Sequence, residues 1–177
     1  MPSNGNLTRD VTHVIEQGIH AVRGLAPEVY SGSGEPIGTS GIGAHIRHCL
    51  DFFDRLVEGL ASGELDYDKR ERDARVEVDR DYAVERMERT VQRLRGFASL
   101  DPSARLQVRA DADPDEAPLE STVGREFKFA LSHTIHHYAI IAMYLRQAGE
   151  VVDPDFGVAP STLRFWEESG RCAPSAG

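Results

Sequence analysis

The sequence predicts an all-α domain built as a four-helix bundle. Two observations carry that prediction. Four long stretches place apolar residues at steps of three and four, the period of a helix with one buried face. Only one stretch, "ARLQVRADADPDEAPLESTV", offers plausible strands, and it lies just before the last long helix. The chain has 177 residues, 40% hydrophobic and 28% charged, enough for a single domain over 1–177 with a substantial core.

The first helix is expected over Leu7 to Ala26, with Leu7, Val11, Val14, Ile15, Val22 and Leu25 on its inner face. "APEVYSGSGEPIG" then breaks the pattern with proline and glycine. Thr39 or Ser40 is expected to cap the second helix, "SGIGAHIRHCLDFFDRLVEGL", whose stripe is Ile42, Ile46, Cys49, Phe53, Leu56 and Leu60. The charge-dense "ELDYDKRERDARVEVDRDY" reads as a long surface connection. The third helix, Asp81 to Phe97, turns Val84, Met87, Val91 and Leu94 inward. "LQV" and "PLEST" are expected to pair as a short β-hairpin across an acidic turn.

The fourth helix is the most strongly marked. Ser121 or Thr122 suits its N-cap, and Glu126 stands in the early turns where the helix dipole favours a carboxylate. Gly149 suits its stop, and Phe127, Leu131, Thr134, Tyr138, Ile141 and Leu145 make its stripe. A short helix from Ser161 is expected to pack Phe165 and Trp166 back onto the bundle. The Pro/Ser/Ala/Gly-rich tail from about residue 168 reads as flexible.

Charge and composition exclude several functions. The formal net charge is −9, which repels a phosphate backbone, so nucleic acid is not an expected partner. Arg86, Arg89, Arg93 and Arg95 cluster, but Glu85 and Glu88 interleave them, as on a solvated helix face. "MPSNGNLTRD" lacks the pattern of a secretory signal, and no apolar run approaches the roughly 18 residues that span a bilayer. The two cysteines, Cys49 in a helical stripe and Cys172 in the tail, do not suggest a disulfide, and a cytoplasmic location is expected. No G-x-S-x-G elbow, P-loop or C-x-x-C occurs, and no histidine has Glu three residues before it as a ferritin-like site requires.

The histidines carry the chemistry. "HTIHHYAII" holds three of the chain's seven. His133 and His137 are four apart, which stacks them on one helix face with Cβ atoms roughly 5–6 Å apart. That spacing lets two imidazoles converge on one ion, but a third ligand must come from another element. The second helix offers His45 and His48, again on one side. If the two helices are neighbours, three neutral imidazoles leave a coordination position open, as catalytic metal sites do. The opposing reading makes the same histidines hydrogen-bonded core residues. His136 points about 100° away from His137 and fits a pocket residue better than a ligand. Glu126 lies two turns before His133 and is expected as an exposed helix charge or at the site's edge. Asp51 is expected either on a solvated face or orienting an imidazole.

"IGAHIRHCLDFF" and "FALSHTIHHYAIIAMYLRQAG" resemble the two histidine motifs of the DinB-like superfamily, damage-inducible proteins distinct from the DNA polymerase of similar name. Where the commoner motif follows its paired histidines with Arg-Gly-Gln, this sequence has Tyr138-Ala139-Ile140. The resemblance implies a four-helix bundle that holds a divalent metal, zinc or nickel, through His48, His133 and His137, with His45 the competitor for the first place. It implies a small-molecule substrate, in some relatives a low-molecular-weight thiol such as mycothiol or bacillithiol, and often a homodimer. The expected activity is therefore a metal-dependent hydrolase or thiol S-transferase, with His45, His136 and Glu126 as candidate general bases. The alternative is a noncatalytic bundle that binds a partner or dimerises, its histidines packed in the core.

Overall fold

The computed structural model describes residues 5–32, 40–109 and 117–170. The four expected long helices are α1 (Gly5–Arg23), α3 (Ile42–Ser62), α5 (Arg80–Arg95) and α6 (Val123–Gln147). Between them lie α2 (Pro27–Ser31), β1 (Glu64–Asp66), α4 (Ala74–Val78), β2 (Arg105–Arg109) and β3 (Leu119–Thr122), and α7 (Pro160–Ser169) follows. Helix α1 packs on α5 and α6, and α3 packs on the same two, so the long helices enclose one core.

The stripes read from the sequence are that core. Val11, Val14, Ile15 and Val22 of α1, Ile46, Phe53 and Leu56 of α3, Met87 and Leu94 of α5, and Phe127, Tyr138 and Ile141 of α6 are all buried. At about 25 cal/mol per Å² of apolar area, this burial is the main driving force for the bundle. Helices α1 and α6 approach closely at Gly18, where an added Cβ would stand 2.0 Å from the Tyr138 hydroxyl. Only the absence of a side chain at residue 18 leaves room for the tyrosine.

The helix ends follow the sequence in part. Thr122 caps α6, its hydroxyl accepting from the Arg125 N–H. Helix α3 instead starts after Gly41 without a side-chain cap, so Ser40 does not fill that role, and Thr39 lies outside the described residues. The hairpin forms: β2 and β3 pair antiparallel with Leu106 opposite Ser121 and Val108 opposite Leu119. Its acidic turn lies outside the described residues.

Two connections hold more structure than expected. "APEVYS" contains α2, whose Tyr30 is buried and donates to the Val76 carbonyl at 2.5 Å. The charge-dense stretch contains β1, which adds to β2 in parallel to make a sheet of order β1-β2-β3, and then α4, capped by Asp73. Leu65, Tyr67 and Val76 from this stretch are buried. The expectation for the last helix needs the opposite correction. Helix α7 buries none of its residues, and Phe165 is 53% exposed. The aromatic anchor is Phe156, four residues before α7, stacked on Tyr138 with ring centroids 4.8 Å apart. Gly157 makes that seat possible: its φ is +77°, and a Cβ there would stand 2.6 Å from the Ala139 nitrogen. Of the tail expected to be flexible, residues 171–177 lie outside the described residues, and Cys172 with them.

Candidate metal centre

Helices α3 and α6 are neighbours, which meets the condition the histidine spacing set. Position 48 lies on α3 opposite positions 133 and 137 on α6. One ring nitrogen from each of His48, His133 and His137 falls within 4.8 Å of the others. Donor atoms on one zinc ion each stand about 2.0–2.1 Å from it, hence roughly 4 Å or less apart. Borderline imidazole nitrogens suit zinc or nickel better than calcium or magnesium.

His45 belongs to the same cluster. Its Nδ1 lies 2.9 Å from Nδ1 of His137, while Nε2 of His48 lies 2.9 Å from Nε2 of His133. Among the described residues, these four imidazoles hydrogen-bond only to one another. Among the described residues no carboxylate or backbone carbonyl takes a ring N–H, as it would for a histidine locked into a core. His136 is exposed and meets the His137 ring edge-on at 5.3 Å, at the border of the cluster, as its offset along the helix requires.

The imidazoles are held neutral. Burial lowers the pKa of His48 to about 4, reinforced by His133 and by the charges of Arg70 and Arg47. Burial and the neighbouring histidines lower His137 to about 3. Burial also lowers His45 and His133, each with a further contribution from His136. A neutral imidazole is the form that ligates metal.

The two carboxylates considered from sequence are occupied elsewhere. Glu126 is not an exposed helix charge: it is 1% exposed, and it accepts from the Tyr67 hydroxyl at 2.8 Å, from Ser121 and from Arg125 at 3.1 Å. Asp51 is buried and accepts from Arg47 at 2.7 Å, and Arg47 also reaches Glu77. Cys49, next to His48 in sequence, faces the core, where burial pushes its thiol up to about 12 and makes it inert.

An aromatic wall stands beside the histidines. The Phe52 ring lies 4.2 Å from that of His133 and 5.0 Å from that of His48. Tyr67 and Phe129 complete it, at 5.0 and 5.9 Å from Phe52. The Arg70 guanidinium lies over Phe52, 5.6 Å from the ring centroid. Sequence reasoning missed Tyr67 and Arg70. The available signal was the i,i+2 alternation of Leu65 and Tyr67 inside a stretch dominated by charge.

Comparison with known proteins places the chain in a family. The family model described as the DinB superfamily matches residues 12–141, which take in α3 and the histidine turns of α6. A stretch of 104 residues is 38% identical to FK506-binding protein 5 of Rhizopus delemar. The match covers 56% of this chain and 27% of that protein, so the chain spans about a quarter of that relative's length.

Proposed function

The chain belongs to the DinB superfamily, and from that premise we propose that it is a metal-dependent hydrolase or thiol S-transferase whose ion is held by His48, His133 and His137. The observation that carries this reading is the cluster of neutral imidazoles that, among the described residues, hydrogen-bond only to each other. A divalent ion bound there, zinc or nickel, supplies Lewis acidity and lowers the pKa of a water or thiol nucleophile.

The chain's own residues divide the remaining work. His45 is a positioning residue rather than the first ligand: ring nitrogens of His48, His133 and His137 converge within 4.8 Å, and His45 meets that group through Nδ1 of His137. Partners of this kind orient metal-bound imidazoles and fix their tautomer. His136, exposed beside His137, is the remaining general-base candidate, since Glu126 already accepts from three donors. Phe52, Tyr67 and Phe129 form an apolar wall that excludes water from one side. No helix among the described residues is long and apolar enough to cross a membrane. The homodimer implied by the family resemblance belongs to the same proposal and is tested by sedimentation.

The activity test uses zinc-loaded protein with two substrate panels, activated esters alone and electrophiles with a small thiol. Turnover in one panel that disappears with a chelator and in His133→Ala supports the reading. Turnover that survives both treatments, or none in either panel, removes it.

A further inference from the structure

Arg70 stands in the connection between β1 and α4, which is pinned at both ends. Tyr67 donates its backbone N–H to the Arg109 carbonyl at 3.1 Å and its hydroxyl to Glu126. Asp73 accepts from the Tyr82 hydroxyl and from Arg86, each at 2.8 Å. Arg70 lies between these two points, and its own N–H donates to the Asp68 carbonyl at 2.8 Å.

Its surroundings leave it under-satisfied. The side chain is 21% exposed, yet the nearest carboxylate oxygen, on Asp68, is 3.9 Å away, beyond hydrogen-bond reach. Its Nε is buried and, like that of Arg55 on α3, has no hydrogen-bond partner among the described residues. The face of the guanidinium lies over Phe52, whose ring also touches His48 and His133. A buried guanidinium N–H without an acceptor is costly, and such groups call for an explanation. The other arginines near the site are accounted for: Arg47 pairs with Asp51 and Glu77, and Arg125 with Glu126.

A second observation points the same way. Three neutral imidazoles bring no negative charge to a divalent ion, and the nearby carboxylates of Asp51 and Glu126 are already paired. A site with that donor set, beside an arginine whose ion pair to Asp68 is long at 3.9 Å, attracts anions.

We infer that Arg70 is the anion-recognition residue of this site, and that the ligand is a small molecule carrying a carboxylate a few atoms from the group it presents to the imidazoles. The planar fork of Arg70, on a side chain that stays 21% exposed, suits a carboxylate. Phe52 is the apolar floor along which the intervening carbon chain lies. The inference rests on the metal site proposed for His48, His133 and His137.

The test titrates cobalt-loaded protein with two thiols of equal length, 3-mercaptopropionate and 3-mercapto-1-propanol, following the cobalt absorption bands. The wild type is expected to bind the carboxylate thiol at least about 10-fold more tightly than the alcohol, the scale of a charge-assisted pair. Arg70→Met is expected to abolish that preference while keeping cobalt content and affinity for the alcohol. Arg70→Lys, which keeps the charge without the fork, is expected to restore part of it. Equal binding of the two thiols by the wild type, or an unchanged preference in Arg70→Met, overturns the role of Arg70 while leaving the metal site standing. Failure of the wild type to take up cobalt overturns the metal site and this inference together.

Discussion

Helix α3 shows two unlike seams. Toward α4 and α5 it presents charge, and the charge is matched. Asp54 accepts from Arg86 and Arg93, each at 2.6 Å, Arg86 also reaches Asp73, and Arg47 bridges Asp51 and Glu77. Toward α6 it presents His45 and His48 to two further histidines, and no carboxylate among the described residues meets them. One seam uses its polar groups to join helices. The other gathers polar groups of one kind that satisfy only each other, an arrangement that contributes little to folding and is suited to a ligand.

The largest break in stability is expected behind the site, at Glu126. Glu126→Ala orphans the Tyr67 hydroxyl and is expected to cost about 1–3 kcal/mol in urea denaturation, with metal content unchanged. Asp54→Ala, in the charged seam, comes next. Its ion pairs are partly exposed, so about 1 kcal/mol is expected, again without effect on metal. His48→Ala in metal-free protein is expected to cost less than about 1 kcal/mol, because its half-buried partner His133 can turn to water. The fully surface pair of Arg23 and Glu88 gives the smallest effect, under about 0.5 kcal/mol for Glu88→Ala. A large loss of stability in His48→Ala beside a negligible one in Glu126→Ala would reverse the comparison.

Acid sharpens it. His48 and His137 have pKa values of about 4 and about 3 when folded, below the ordinary 6.5 of the unfolded chain. Below pH 6.5 the unfolded state therefore binds more protons, and stability falls as the pH drops from 6.5 toward 4 and then 3. Above 6.5 these two groups contribute no pH dependence. Metal-free wild type is expected to lose melting temperature across that window, and a His48→Ala/His137→Ala double variant to lose less. Equal slopes in the two proteins would mean that the imidazoles are not held neutral by their surroundings.

The sequence made the long helices and the histidine face legible because both depend on local spacing. An i,i+4 pair remains a pair wherever the helix docks. Whether α3 lies beside α6 is a tertiary fact, and only that packing turned His45, His48, His133 and His137 into one cluster. Residues 64–78 were obscured by their charge. Strand β1 is three residues long, too short for periodicity to register, and Tyr67 is buried through its contact with Glu126, far away in sequence. Glu126 was misjudged for the same reason. The dipole argument for a carboxylate near a helix start is sound, but it does not say whether a tyrosine will cover that carboxylate. Phe156, rather than Phe165 or Trp166, became the anchor because Gly157 lets the chain lie directly on α6.

The most direct test of the central claim is the metal content of untagged protein, purified after growth with zinc and nickel and measured by elemental analysis beside His48→Ala and His133→Ala. About one equivalent per chain in the wild type, lost in both variants while their folds persist, is the expected result for a three-imidazole site. Wild-type protein without stoichiometric metal, or variants that keep it, would contradict the account and return these histidines to the core of a noncatalytic bundle.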